Sequence, residues 1–304
     1  MKPEQVIAID WSAAGTPKTG SDSIWIVDHT GEASNPATRI AAEEILTGQI
    51  AMAVSTGTQT LIVMDVAFGA PTGLAATITG QASAPSLWDW IADRHRDDAS
   101  NRTNYRDVAA ELNRHFKGPG PFWGNVQKAE TRDLPHKKPA QPAGLPLHRQ
   151  TEIAGRADGF RPFPIWQLAG VGAVGAQSLT AMAMLSRLRH RFAGTLGIWP
   201  FDPPRPVMLA ETYLSLQPAE TARRVRDGLV KDAAQAGAMA EGFYRLGQSG
   251  TLPNLFAPNA AGSILSEEGW YLGAGAAELV QSAFDPSLAK APSKPRSGPR
   301  QSRK

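Results

Sequence analysis

The chain has 304 residues, and 42% of them are hydrophobic, which is enough for the packed core of one large domain or two small ones. It contains no cysteine, which excludes disulfides, thiolate nucleophiles and cysteine-based zinc or iron–sulfur sites. The formal net charge of +3 arises at the C-terminus, because setting aside the six Lys/Arg and one acid of residues 285–304 leaves 25 basic and 27 acidic residues.

The first part of the chain predicts strands and one helix. Residues 5–11 and 23–29 read as a pair of strands joined by a polar, glycine-rich loop, and Ala37–Ile40 is a candidate for a short third strand. Apolar spacing predicts a helix over Ala41–Ser55 and then a buried strand over Thr60–Asp65. This order indicates an α/β fold with a mixed sheet.

Between Pro71 and Pro200 the strand signal fades, and the segment is rich in Pro, Gly, Arg and aromatic residues. Helices are predicted over Leu87–Ala92, Asn104–His115 and Ala176–Phe192. We interpret this segment as an insertion that forms a lid over a substrate.

The last third returns to regular elements. A strand is predicted over Pro206–Tyr213 and helices over Pro218–Val230 and Asp232–Leu246, followed by a short apolar element at Glu268–Gly273. Residues 1–284 are therefore expected to form one domain.

The two ends of the chain carry different signals. The N-terminal residues before the first strand are too few and too charged for a signal-peptide core, and no apolar run approaches the length of a membrane span, so a cytoplasmic protein without membrane contact is expected. The basic tail, 285–304, is expected to be disordered. It would be either solvated without a specific partner or attracted nonspecifically to nucleic acid.

Four acids stand where strands end or a helix begins: Asp10, Asp65, Glu211 and Asp232. A carboxylate at such a place can be a turn former or a helix cap. Several acids at one sheet edge instead suggest a hard divalent cation, because Mg²⁺ takes oxygen ligands and is usually held by few carboxylates. The sequence therefore points to phosphoryl-transfer chemistry.

Gly170, Gly172 and Gly175 satisfy G-x-G-x-x-G, the dinucleotide fingerprint. Its preceding strand would be Phe163–Leu168, which two prolines flank or interrupt, and no acid follows at the distance that ribose recognition requires. Small residues that allow tight packing at a helix start are the preferred interpretation. P-loop, G-x-S-x-G and H-E-x-x-H motifs are absent from the sequence, and its six histidines form no spaced metal pair.

The insertion is locally basic beside aromatic residues. Lys128 follows Phe122 and Trp123 closely in the sequence, and Arg149 lies further along the same insertion. Cationic side chains contact phosphates and an aromatic face can stack on a base, so this segment suits a nucleic acid or a nucleotide. A solvated basic loop is the alternative.

The chain resembles the predicted RNase H-like nucleases of domain-of-unknown-function family 429. The resemblance covers nearly all of the chain except the tail and is carried by the order and spacing of seven motifs: Val6–Ser12, Asp65–Pro71, Gly120–Gly124, Gln167–Gly175, Glu211–Tyr213, Lys231–Ala234 and Glu268–Gly273.

That resemblance implies an α/β fold with an RNase H-like mixed central sheet, flanked by helices and carrying the long insertion. It implies that Asp10, Asp65 and Asp232 bind Mg²⁺ or Mn²⁺. Glu211 departs from the usual layout of this fold, so it either joins the catalytic acids or orients a neighbour. The expected reaction is metal-dependent phosphodiester hydrolysis.

Nucleic acid or a nucleotide is the expected partner. The candidate substrate-binding residues are Ser12, Lys128, Arg149, Glu152 and Arg156. Two alternatives stay open: an actin-like or sugar-kinase-like ATP-binding protein, and a noncatalytic nucleic-acid- or nucleotide-binding protein. Some members of the family carry a label linking them to molybdopterin guanine dinucleotide synthesis, but no nucleotide-transfer motif in this sequence supports that link.

Overall fold

The computed structural model describes residues 2–126, 133–140 and 143–290. These residues form a mixed α/β fold around one six-stranded sheet, in the spatial order β3-β2-β1-β4-β6-β5. Strands β1 to β3 pair antiparallel, whereas β1, β4, β6 and β5 run parallel to one another. The strands are β1 Gln5–Asp10, β2 Trp25–Asp28, β3 Ala33–Ser34, β4 Thr60–Met64, β5 Leu196–Trp199 and β6 Val207–Glu211.

Ten α-helices are present in the described ranges. They are α1 Arg39–Thr56, α2 Leu74–Thr79, α3 Ala84–Arg94, α4 Tyr105–Arg114, α5 Gln150–Ala157, α6 Gly175–Arg191, α7 Pro218–Arg226, α8 Lys231–Ser249, α9 Gly262–Glu268 and α10 Ala277–Gln281. None of the helices in the described part of the chain has the length and apolar character needed to cross a membrane.

The central strands are buried on both faces, which explains their continuous apolar sequences. Successive side chains of a strand point to opposite faces of the sheet. Ile9 and Met64 accordingly belong to the core that α1, α3 and α6 cover, whereas Ala8 and Val63 belong to the core that α8 covers. The direction of a side chain at a strand end can therefore be read from its position in this alternation.

Several sequence predictions are confirmed by the fold. The predicted mixed sheet is present, and the helix expected over Ala41–Ser55 corresponds to α1. Thr38 caps α1 by accepting a hydrogen bond from the Ala41 N–H, and Gly57 ends it with a φ of 72°, a backbone conformation that glycine adopts without strain.

Two strand predictions were wrong. The third strand is Ala33–Ser34 and not Ala37–Ile40. Pro36 follows this strand, and because proline has no N–H it cannot donate a hydrogen bond that would continue the sheet ladder. The segment predicted to be helical and loop insertion up to Pro200 contains β5, which forms the sheet edge beside β6. Close packing requires a glycine within β5, because a Cβ at Gly197 would lie 2.6 Å from Met208 Sδ. This glycine interrupts the apolar run, so the sequence does not indicate a strand.

Candidate active site

Asp10 and Asp65 leave two neighbouring parallel strands at the same level. The backbone pairing of β1 with β4 runs to Ile9 and Met64, and both acids come one residue later. The Asp65 N–H continues the ladder by donating to the Ile9 carbonyl at 3.1 Å. Strand alternation places both side chains on the face of the sheet that α8 covers. The sequence prediction that these two acids meet at one sheet edge is thus met in the fold.

Neither carboxylate pairs with a Lys or Arg side chain among the described residues. Burial, followed by the charges of Asp65 and Asp232, raises the pKa of Asp10 well above its ordinary value, and Lys231 only partly opposes this. Burial also raises the pKa of Asp65 to about 7. The hydrogen bond from the Leu214 N–H acts to lower this pKa, and the charge of Glu211 acts to raise it. Ionisation of these two neighbouring acids is therefore unfavourable without a counter-ion.

Asp232 lies in the first turn of α8, which packs against β1 and β2. Its Oδ2 accepts a hydrogen bond of 2.6 Å from the backbone N–H of Asp22, in the loop between β1 and β2. The carboxylate thus ties that loop to α8 while its charge still acts on Asp10. Within the described ranges, no group of three or more Asp, Glu or His side chains has an arrangement that could hold a metal ion.

Glu211 has a different environment from the other acids. It pairs with Met64 across the sheet, so alternation places its side chain on the face opposite Asp10 and Asp65. Arg149 donates to its two carboxylate oxygens at 2.8 and 2.5 Å, and the Phe68 N–H adds a hydrogen bond of 2.9 Å. Its oxygens are therefore engaged by partners within the fold.

Arg149 and Glu152, both expected to contact substrate, lie in the same buried network. Arg149 is only 2% exposed and also donates to Glu152 Oε1 at 3.0 Å and to the Glu268 carbonyl at 3.0 Å. Glu152 caps the N-terminus of α5 by accepting from the Arg149 N–H. The guanidinium has little hydrogen-bonding capacity left for a ligand, and the network joins α5 to the end of β6.

The remaining predicted substrate contacts lie apart from this network. The Ser12 hydroxyl oxygen accepts a hydrogen bond of 3.2 Å from the Ala14 N–H in the loop after β1. Arg39 holds this loop by donating to the Ser12 and Ala14 carbonyls. Arg156 is exposed, and Lys128 lies outside the described residues.

A narrow cleft of about 60 Å³ opens beside Asp65, above the ends of β4 and β6. Gln177, in the first turn of α6, donates from Nε2 to the Asp65 carbonyl at 3.1 Å. Phe163 and Thr212 line the same cleft. These three residues were not predicted from the sequence, although Thr212 directly follows Glu211 and Gln177 lies two residues after the last glycine of the motif.

The glycine motif is explained by packing. Gly175 begins α6, and an added Cβ would lie 2.1 Å from the Ile165 carbonyl oxygen. The segment 163–168 is not a strand and holds only an isolated bridge from Gln167 to Trp123. The strand-turn-helix context of a dinucleotide site is therefore missing at this motif, which agrees with the preferred interpretation of tight packing.

The chain matches no protein-family model, no curated protein and no solved structure. Inference about function therefore rests on the chemistry of the site and on the motifs themselves.

Proposed function

We propose that this protein is an RNase H-like, metal-dependent phosphodiester hydrolase. The observation that carries the proposal is the side-by-side placement of Asp10 and Asp65, unpaired with any described cation, at the ends of the two central parallel strands. The sheet order supports it as well, since three antiparallel strands are followed by parallel ones and α8 brings a third acid toward the same edge.

The donor set fits a hard divalent cation. Two desolvated carboxylates without a counter-ion are unfavourable, and a doubly charged ion between them would reverse this. Mg²⁺ commonly uses one or two carboxylates and completes its shell with water and phosphate oxygens, so Asp10 and Asp65 suffice. Asp232 would contribute as the third, more distant charge.

A cation held there would lower the pKa of a bound water and offset the charge of a phosphodiester. The protein's own residues supply the geometry. Gln177 anchors the backbone of Asp65, and Arg39 anchors the loop that follows Asp10. Asp232 holds the loop between β1 and β2 from the opposite side. These contacts hold the main chain around the two acids in place before substrate arrives.

A cleavage assay tests this proposal. Labelled single-stranded, duplex and branched oligonucleotides are incubated with the full chain and Mn²⁺, and the Asp10→Asn variant is compared with wild type. We expect cleavage of at least one substrate class by wild type and a loss of at least 100-fold in the variant, since removing a charged group at a reacting centre typically has this effect. Equal cleavage by both proteins, or cleavage by neither, would overturn the assignment.

A further inference from the structure

An aromatic side chain forms part of the wall of the cleft beside Asp65. Phe163 is 41% exposed, whereas most large apolar side chains of this fold are buried. It shares the cleft with Asp65, Gln177 and Thr212. Among the exposed large apolar side chains of the described residues, Phe163 is the one aromatic, and it lies in the cleft that holds Asp65.

The position of this ring is set by its neighbours. A Cβ built on Gly172 would lie 2.3 Å from Cε2 and Cζ of Phe163, so the ring rests directly on the glycine backbone. Gly172 has a φ of 73°, which favours glycine at this position. Arg156 donates from Nη2 to the carbonyl of Pro162 at 2.8 Å and so fixes the residue before the ring. A ring held in this way loses little entropy when a ligand stacks on it.

Unused polar groups surround the ring. Gln177 spends one amide hydrogen on the Asp65 carbonyl, and its Oε1 accepts no hydrogen bond from the described residues. The Arg156 side chain is exposed and makes no ion pair in the described part of the chain. The cleft thus offers an aromatic face and an amide. The Arg156 guanidinium lies beside it, because its Nη2 donates to the carbonyl of Pro162, which lines the cleft.

This combination matches a nucleotide whose base is not paired. Proteins recognise single-stranded nucleic acid by stacking bases on aromatic rings, by hydrogen bonds to base edges and by cations at the phosphates. Bases inside a duplex are stacked on both sides and cannot present a free face to Phe163. A stacking surface at Phe163 would therefore distinguish unpaired from paired bases.

We propose that Phe163 is a stacking platform for an unpaired nucleobase, with Gln177 at the base edge and Arg156 near a phosphate. An unpaired nucleobase is then the feature that the proposed hydrolase recognises in its substrate, and in that respect the inference rests on the proposed function. The base belongs either to a single strand or to a free nucleotide, which share this chemistry.

Binding is measured without cleavage, in EDTA and at about 0.2 M salt, which weakens nonspecific attraction to the basic tail. The probe is a fluorescein-labelled single-stranded oligonucleotide followed by anisotropy, with a blunt duplex and a mononucleotide as unlabelled competitors. We expect Phe163→Ala to weaken binding about 5- to 150-fold, the range that corresponds to loss of one stacked base. Phe163→Trp should bind at least as tightly as wild type.

Two further variants separate stacking from packing. Phe163→Leu keeps apolar bulk but lacks the aromatic face, and it should bind nearly as weakly as the alanine variant. Met52→Ala removes an exposed apolar side chain on α1 and should leave binding unchanged. Circular dichroism checks that each variant is folded.

The proposal is overturned if the folded alanine and leucine variants bind like wild type, if wild type binds no single strand, or if the duplex competes as well as the single strand. Competition by the mononucleotide at the same concentration per site would identify a free nucleotide as the source of the base. Because the assay needs no hydrolysis, a Phe163-dependent affinity in a protein without nuclease activity would sustain this inference alone. Cleavage that is independent of Phe163 would remove only this inference.

Discussion

Asp10 and Asp65 lie side by side at the ends of β1 and β4, and burial, followed by the charge of Asp65, raises the pKa of Asp10. The Asp65 N–H donates to the carbonyl of the residue before Asp10, so the two main chains are locked at this point. No described Lys or Arg side chain pairs with either carboxylate. Burying these two carboxylates in their ionised form lowers the free energy of unfolding. A cation that binds them only in the folded state would raise it.

The first prediction concerns the unpaired charge of Asp65. In EDTA at about pH 8, Asp65→Asn should raise the free energy of unfolding by up to about 4 kcal/mol, because a neutral amide carries no desolvated charge and each pKa unit of the shift corresponds to about 1.4 kcal/mol. The pKa of Asp65 is about 7 in the folded protein and about 4 in the unfolded chain, so the wild-type protein loses stability as pH rises from about 4 through 7. The stability gained by Asp65→Asn should therefore vanish near pH 4. Urea unfolding measures both values. The exposed Asp93→Asn is the control, and a variant less stable than wild type at pH 8 contradicts the prediction.

A second prediction concerns the buried ion pairs of Arg149. Arg149→Met should lower the free energy of unfolding by about 3 to 5 kcal/mol, because it leaves the Glu211 and Glu152 carboxylates buried without a counter-ion. Chemical denaturation provides the measurement. Arg156→Met removes an exposed arginine of the same helix and should change stability by less than about 1 kcal/mol. A loss of less than about 1 kcal/mol in Arg149→Met as well would show that the network contributes little.

The role of Glu211 can be separated from that of the metal-site acids. Glu211→Gln should destabilise the protein while changing Mn²⁺ affinity by less than about threefold, because the side chain faces the opposite side of the sheet and pairs with Arg149. Calorimetric titration with Mn²⁺ gives the affinity, and thermal unfolding gives the stability. A loss of Mn²⁺ binding would instead make Glu211 a ligand.

The buried ring of His95 should make the stability of the folded protein depend on pH. Burial lowers the pKa of this ring to about 4, although the charge of Asp97 acts to raise it. The ring Nε2 lies 2.8 Å from Thr103 Oγ1. The unfolded chain binds a proton near pH 6.5, so stability should fall by up to about 3 kcal/mol as pH drops from about 6.5 to 4. His95→Gln should flatten this part of the profile relative to wild type. The exposed His190→Gln should leave it unchanged, and parallel profiles for wild type and His95→Gln would refute the assignment.

The sheet was predictable where the signal was continuous burial. Strands β1, β4 and β6 carry uninterrupted apolar runs because both of their faces are covered, and their terminal acids are visible for the same reason. Strand β5 was missed because four residues containing a glycine resemble a loop. Helix α5 was missed as well, since ionic contacts of Arg149 and Glu152 fix its N-terminus and no apolar period is needed.

The candidate site was predictable only in part. The meeting of Asp10 and Asp65 follows from strand order, but the partner of Glu211 lies 62 residues away in the chain, in a segment without strand signal. Arg149 was therefore assigned to substrate instead of to the core. The turn of Asp232 toward the Asp22 N–H depends on side-chain packing, which apolar periodicity does not encode.

The central claim is that Asp10 and Asp65 hold a divalent cation. Isothermal titration of the full chain with Mn²⁺ at about pH 8, for wild type, Asp10→Asn and Asp93→Asn, tests it most directly. We expect saturable binding by wild type and by Asp93→Asn, and at least tenfold weaker binding by Asp10→Asn, since one of two adjacent anionic ligands is lost. Equal affinity in Asp10→Asn and wild type, or no binding by any of the three proteins, would contradict it.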